Sequence, residues 1–155
     1  MPRKFASGAV RRASVLALFL VLTMPDAWAQ SAIEISDAWA RETVPGQRVA
    51  GVYLHIRSAA QARLIRVTSP AAKAAEIHSM KEAGGVMRMR RLDGLELPAG
   101  QIVKLEPGGN HIMLLEIGRQ LKPGEHVRLT LVVEQKGKTR SVPVVVEVRQ
   151  MGSDK

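Results

Sequence analysis

A two-residue apolar alternation, broken every few residues by turn signals, is the feature that most limits what this chain can fold into. Val127, Leu129, Leu131 and Val133 alternate with Arg128, Thr130, Val132 and Glu134, and the stretch Ser141-Val-Pro-Val-Val-Val-Glu-Val148 adds β-branched residues of its own. In an extended strand such a pattern puts apolar side chains on one face. Comparable runs cover Ile33 to Ala40, Val49 to Arg57, Ala62 to Thr68, Ala75 to Met80, Val86 to Leu92, Gln101 to Glu106 and His111 to Ile117. Between them fall Pro45-Gly46, Asp93-Gly94, Pro98 to Gly100, Pro107 to Asn110, Pro123-Gly124 and Lys136 to Lys138, all turn chemistry. Only Ala71 to Ala75 is compatible with a helical turn. The pattern predicts one all-β domain, an antiparallel sandwich or barrel.

The first 29 residues are expected to be removed. Arg3, Lys4, Arg11 and Arg12 form a basic segment ahead of the apolar run Ala13 to Met24, and Ala27-Trp28-Ala29 supplies small residues for cleavage before Gln30. Basic, apolar and small-residue parts in that order make a secretory signal peptide, and the run is too short for a membrane span. The Arg11-Arg12 pair raises a twin-arginine route, but the residues after it fit ordinary secretion better. The domain is then 30–149, followed by a short polar tail, 150–155. Export to the periplasm is the expectation, with no stable membrane insertion after cleavage.

Without the leader, 19 basic residues face 13 acidic ones and the aromatics reduce to Trp39 and Tyr53. So few rings give no stacking platform for nucleic acid, and no nucleic-acid partner is expected. The sequence contains no cysteine, which excludes disulfides, thiolate zinc sites, cysteine nucleophiles and thiolate-based copper electron transfer. No Gly-x-Ser-x-Gly elbow, His-Glu-x-x-His or phosphate-binding glycine loop is present, so nothing points to an enzyme. Gly84-Gly85 and Gly108-Gly109 are read as turns.

Methionine and histidine, in contrast, are clustered. His78-x-Met80, Met87-x-Met89 and His111-x-Met113 are three pairs spaced by two. Residues so spaced in a strand share a face, about 6.6 Å apart. Methionine on a strand is ordinarily packing, and a lone histidine is ordinarily a surface residue. That reading suits His55 and His126, which have no methionine partner. For His78, Met89, His111 and Met113 the clustering favours metal ligation, and Met80 and Met87 are left either beside the ligands or in packing. Thioether sulfur is soft and selects Cu(I), whereas magnesium, calcium and manganese take oxygen. Two imidazoles and two thioethers carry no charge, so a +1 ion costs less to hold than a +2 ion.

At these positions the chain resembles the periplasmic copper-A chaperone (PCuAC) family. The family signature, a His, ten residues, a Met, twenty-one residues and then His-x-Met, is met by His78, Met89, His111 and Met113. Flanking similarity includes Asp37-Ala-Trp39-Ala-Arg41, Gly51-Val-Tyr53-Leu54, Gly85-Val-Met-Arg-Met89-Arg90 and Pro107-Gly-Gly-Asn-His111-Ile-Met113-Leu114. The resemblance implies a cupredoxin-like antiparallel β-sandwich of Greek-key type. It also implies a Cu(I) carrier that serves the copper-A subunit of cytochrome c oxidase or another oxidase-assembly copper protein. Some relatives end in a His- and Met-rich tail tied to further Cu(II) binding; Gln150-Met-Gly-Ser-Asp-Lys155 has one Met and no His, so no second copper site is expected. A periplasmic scavenger that retains copper would share the same ligands.

Overall fold

The structure, a computed structural model, describes residues 33–150 and Gly152. The expected leader, the start at Gln30 and nearly all of the tail lie outside these residues. Among the described residues there are ten strands and no helix. They are β1 (Ile33–Arg41), β2 (Val49–Ser58), β3 (Ala62–Thr68), β4 (Ala72–Ala83), β5 (Val86–Leu92), β6 (Leu95–Leu97), β7 (Ile102–Leu105), β8 (Asn110–Ile117), β9 (His126–Gln135) and β10 (Lys138–Arg149).

The alanine-rich stretch does not form a helical turn. Ala72, Ala74 and Ala75 pair with Ile117, Leu115 and Leu114 of β8, and this ladder overrides alanine's weak preference for helix. β4 also continues further than its alternation suggests, to Ala83, which pairs with Val86. The connection shrinks to Gly84-Gly85, with φ of 62° and 75°, the two-residue turn whose twist suits a hairpin. β6, only three residues long, carries too little pattern to be read from sequence and pairs with Ala62 to Leu64 of β3.

All ten strands belong to one hydrogen-bonded sheet. It runs β5-β4-β8-β2-β1-β10-β9-β3-β6, and an additional β3–β4 pairing at Val67↔Ala75 closes seven of the strands into a ring. The result is a closed, barrel-like sheet. β5 and β6 extend beyond the ring, and β7 lies along β2. Antiparallel pairing is not universal: β1 and β10 run parallel, with Trp39, Ala40 and Arg41 opposite Glu147, Val148 and Arg149. Parallel neighbours need a long connection, and here most of the chain supplies it.

Side chains inside the ring form one apolar core. Ala40, Val52, Leu54, Ile56, Leu64, Ile112, Leu114, Leu131 and Val146 are all fully buried within it. Burial of each large aliphatic side chain is worth roughly 1.5–3 kcal/mol, and no disulfide is needed.

A β-bulge in β1 sets which face its last residues present. Ser36 lies opposite His55 and Trp39 opposite Tyr53, so one extra residue is inserted between them. Asp37 takes a φ of 45° there, and Arg149 Nη1 donates to its carboxylate at 3.1 Å. The inserted residue reverses the alternation, so Ser36 and Trp39 share the outer face although their numbers differ in parity. Trp39 is thereby aimed towards the functional side of the sheet.

Candidate metal centre

Cross-strand register assembles the site on the outer surface of β5, β4, β8 and β2. Paired residues share a face, and Ile77, Ile112, Ala50 and Val52 point into the core. Their neighbours along each strand must therefore point outwards. These are Glu76, His78 and Met80 on β4, His111 and Met113 on β8, Gly51 and Tyr53 on β2, and Met89 and Arg91 on β5. His78 stands directly opposite His111, Met80 opposite Met89, and Met113 between Glu76 and Gly51.

The two imidazoles lie with ring centroids 5.9 Å apart, and each is oriented through a different nitrogen. His111 Nδ1 is 3.0 Å from the carbonyl oxygen of Gly109. A carbonyl can only accept, so Nδ1 carries the proton and Nε2 keeps a free lone pair. The same Gly109 oxygen accepts the backbone N–H of Met80 at 3.1 Å, tying β4 to the turn before β8. His78 makes its contact through Nε2, 2.9 Å from Glu76 Oε2, and its Nδ1 is buried without any hydrogen-bond partner. A buried, unsatisfied nitrogen is costly unless something binds it, and a metal ion is one such partner. The second Glu76 oxygen, Oε1, is held by Arg91 Nη1 at 3.1 Å.

Beside the histidines a cavity of about 340 Å³ opens to solvent, and Met80, Met89, His111 and Met113 line it. Met89, on the outermost strand, is 46% exposed, whereas His111 is buried. Tyr53 forms one wall, with its ring 6.3 Å from that of His111 and 4.5 Å from that of Trp39. Gly51 makes room for this ring: a Cβ there would come within 2.6 Å of the tyrosine oxygen. Arg41 covers the ring of Tyr53 and Arg149 that of Trp39, each 5.7 Å from the centroid. Among the described residues no three His, Cys, Asp or Glu side chains are grouped as metal donors, so the free donors offered here are imidazole and thioether. That set suits a soft, singly charged ion.

The other candidates separate. Met87 is exposed and pairs with Glu82, away from the cavity. His55 faces outwards beyond Tyr53, opposite Lys104, and His126 is exposed opposite Glu147. Arg88 and Arg90 alternate with Met89 and turn to the other face of the hairpin, so only Arg91 of the three arginines stands beside the histidines. His78 and Met89 sit within the paired hairpin, whereas His111 is the second residue of its strand, which starts at Asn110 after the Pro107 to Gly109 turn. The contact between Glu76 and His78, the wall formed by Tyr53 and the bulge behind Trp39 are not part of the sequence reading of the site; they emerge from the strand geometry.

The family model described as "Putative lipoprotein LpqE-like" matches residues 33–146. The chain belongs to the LpqE-like family, of the PCuAC type. Among curated proteins it is similar to the "Putative lipoprotein Lxx21020" of Leifsonia xyli subsp. xyli. The two are 29% identical over 116 residues, covering 74% of this chain and 69% of the relative. Among solved structures it is similar to the copper-bound PCuAC domain from PmoF2. The TM-score is 0.63 at 28% identity, covering 76% of this chain and 92% of that one. The solution structure of CuI-DR1885 from Deinococcus radiodurans gives a TM-score of 0.60 at 25% identity, covering 81% and 85%. No helix among the described residues is long and apolar enough to cross a membrane.

Proposed function

We propose that this protein is a periplasmic copper chaperone, a carrier rather than an enzyme, that holds one Cu(I) through His78, Met89, His111 and Met113. The observation that carries the reading is the pair of imidazoles with opposite nitrogens left free, next to three thioethers lining one open cavity. All four donors are neutral, so the site favours Cu(I) over Cu(II). The names of the relatives, a copper-bound PCuAC domain and CuI-DR1885, support the same metal. With the carrier reading goes a description of the closed sheet as a cupredoxin-like Greek key, supported by β8 lying between β4 and β2 rather than beside its sequence neighbours.

A carrier must release its cargo. Met89 lies on the exposed outer strand, so an incoming soft ligand reaches the ion from the Met89 side while buried His111 keeps its hold. The recipient in this proposal is the copper-A subunit of cytochrome c oxidase or a copper protein of its assembly. Both "lipoprotein" names fit export. The absence of cysteine from the 155 residues means that no lipid can be attached to this sequence through a cysteine thioether. In this reading the periplasmic form begins at Gln30.

Titration with Cu(I) against a competing chelator tests the site. Met89→Leu with Met113→Leu keeps the apolar bulk and removes two thioethers, so Cu(I) affinity is expected to fall at least about a hundredfold, equivalent to about 2.7 kcal/mol, with the fold intact. Unchanged affinity in the double variant would sink the ligand set. In cells, deletion should lower oxidase activity at scarce copper, and added copper should restore it. Normal oxidase with heightened copper sensitivity would instead favour a protein that retains copper.

A further inference from the structure

The two histidines owe their orientation to unlike groups. For His111 the acceptor is a backbone carbonyl, Gly109 O, which no substitution of a side chain removes. For His78 it is a side chain, the Glu76 carboxylate, two residues earlier on the same strand and face. A carboxylate offers only acceptors, so it requires the proton on His78 Nε2 and leaves Nδ1 as the lone-pair nitrogen. Nδ1 is the ring atom that is buried and unpartnered. Arg91, opposite His78 on β5, holds the remaining carboxylate oxygen at 3.1 Å. Glu76 is thus fixed at both oxygens, one by the ring it orients and one by the hairpin that carries Met89.

We infer that Glu76 is a positioning residue for the metal site: it sets the His78 tautomer so that Nδ1 is the donor atom, and Arg91 keeps its carboxylate turned for that task. The inference rests on the Cu(I) reading for its consequence, but its first step concerns the metal-free protein. Outer partners that orient ligating imidazoles commonly matter by about 10–100-fold in metal affinity. An uncharged glutamine in place of Glu76 has the same shape but carries both a donor and an acceptor, so it no longer dictates which nitrogen is protonated.

The test combines imidazole ¹⁵N chemical shifts of the metal-free protein with Cu(I) titration against a chelator, for the unsubstituted protein, Glu76→Gln, Arg91→Met and Arg91→Lys. In the unsubstituted protein His78 should show the proton on Nε2 and His111 the proton on Nδ1. Glu76→Gln should give mixed tautomers at His78 alone and a loss of Cu(I) affinity of about tenfold or more, with an unchanged unfolding midpoint. Arg91→Met should show a smaller loss, roughly two- to threefold as expected of a solvent-exposed ion pair, and Arg91→Lys should recover part of it. A proton on Nδ1 of His78 in the unsubstituted protein overturns the inference. So does a Glu76→Gln variant in which tautomer or affinity stays as before. If the unsubstituted protein binds no Cu(I), the copper reading fails, and the shifts alone still decide whether Glu76 sets the ring.

Discussion

In both the β4–β5 and β9–β10 hairpins two residues of positive φ join strands in full register, Gly84-Gly85 in one and Lys136-Gly137 in the other. Beyond the turn the two hairpins diverge. β9 and β10 bury Val127, Leu129, Leu131, Val133, Val144, Val146 and Val148 in the core, and each has a strand on its outer side as well. β5 ends the sheet, and every residue from Val86 to Arg91 is exposed. The same local device serves stability in one place and access in the other. The proposed copper site lies half on the core and half on an outlying strand, pairing a buried side chain, His111, with an exposed one, Met89.

The largest expected difference between the hairpins is energetic. Leu131→Ala, at a fully buried position of β9, should cost about 2–5 kcal/mol in denaturant unfolding. Met87→Ala, on exposed β5, should cost no more than about 0.5 kcal/mol. Equal costs would break the comparison. A turn exchange sharpens it at smaller scale. Lys136 adopts a φ of 50°, so Lys136→Gly should stabilise by up to about 1 kcal/mol, while Gly84→Lys should lose about the same. Apart from its immediate chain neighbours, nothing lies within 4 Å of a Cβ built at Gly84, so only the backbone conformation is at issue. Thermal unfolding of both variants reads the pair.

The smallest effect concerns the turn that leads into β9. The Glu125 carboxyl is held below the usual carboxylate range, first by the backbone N–H of Lys122 at 3.1 Å and then by Arg119 at 2.6 Å. A carboxyl lowered on folding adds stability above its ordinary titration range, and that stability disappears as pH falls through the lowered folded value. Glu125→Gln should therefore narrow the stability gap between neutral and acid pH slightly, and acid unfolding followed by circular dichroism would detect it. A wider gap in the variant would contradict the assignment.

Much of the strand plan is legible because strand alternation is a local property, and Leu129 or Val146 declares its face within three residues. The pairs His78-x-Met80, Met87-x-Met89 and His111-x-Met113 are legible for the same reason, since a spacing of two already fixes a shared face. What sequence leaves out depends on register between strands. Met80 and Met87 look alike in the chain, yet Met80 opposes Met89 at the cavity and Met87 opposes Glu82. Arg91 comes to hold the Glu76 carboxylate only because β5 brings it opposite His78. The bulge at Asp37 reverses the very parity on which sequence reading relies. The parallel β1–β10 seam likewise has no local signal.

That seam has a consequence in time. β10 is the last of the ten strands to be synthesised, and it fills the gap between the first and the ninth. Until it arrives, one edge of β1 has no neighbour and the ring stays open. At about 5–20 residues per second, the interval between β1 and β10 is on the order of five to twenty seconds of synthesis. The piece that locks the barrel is therefore the piece made last.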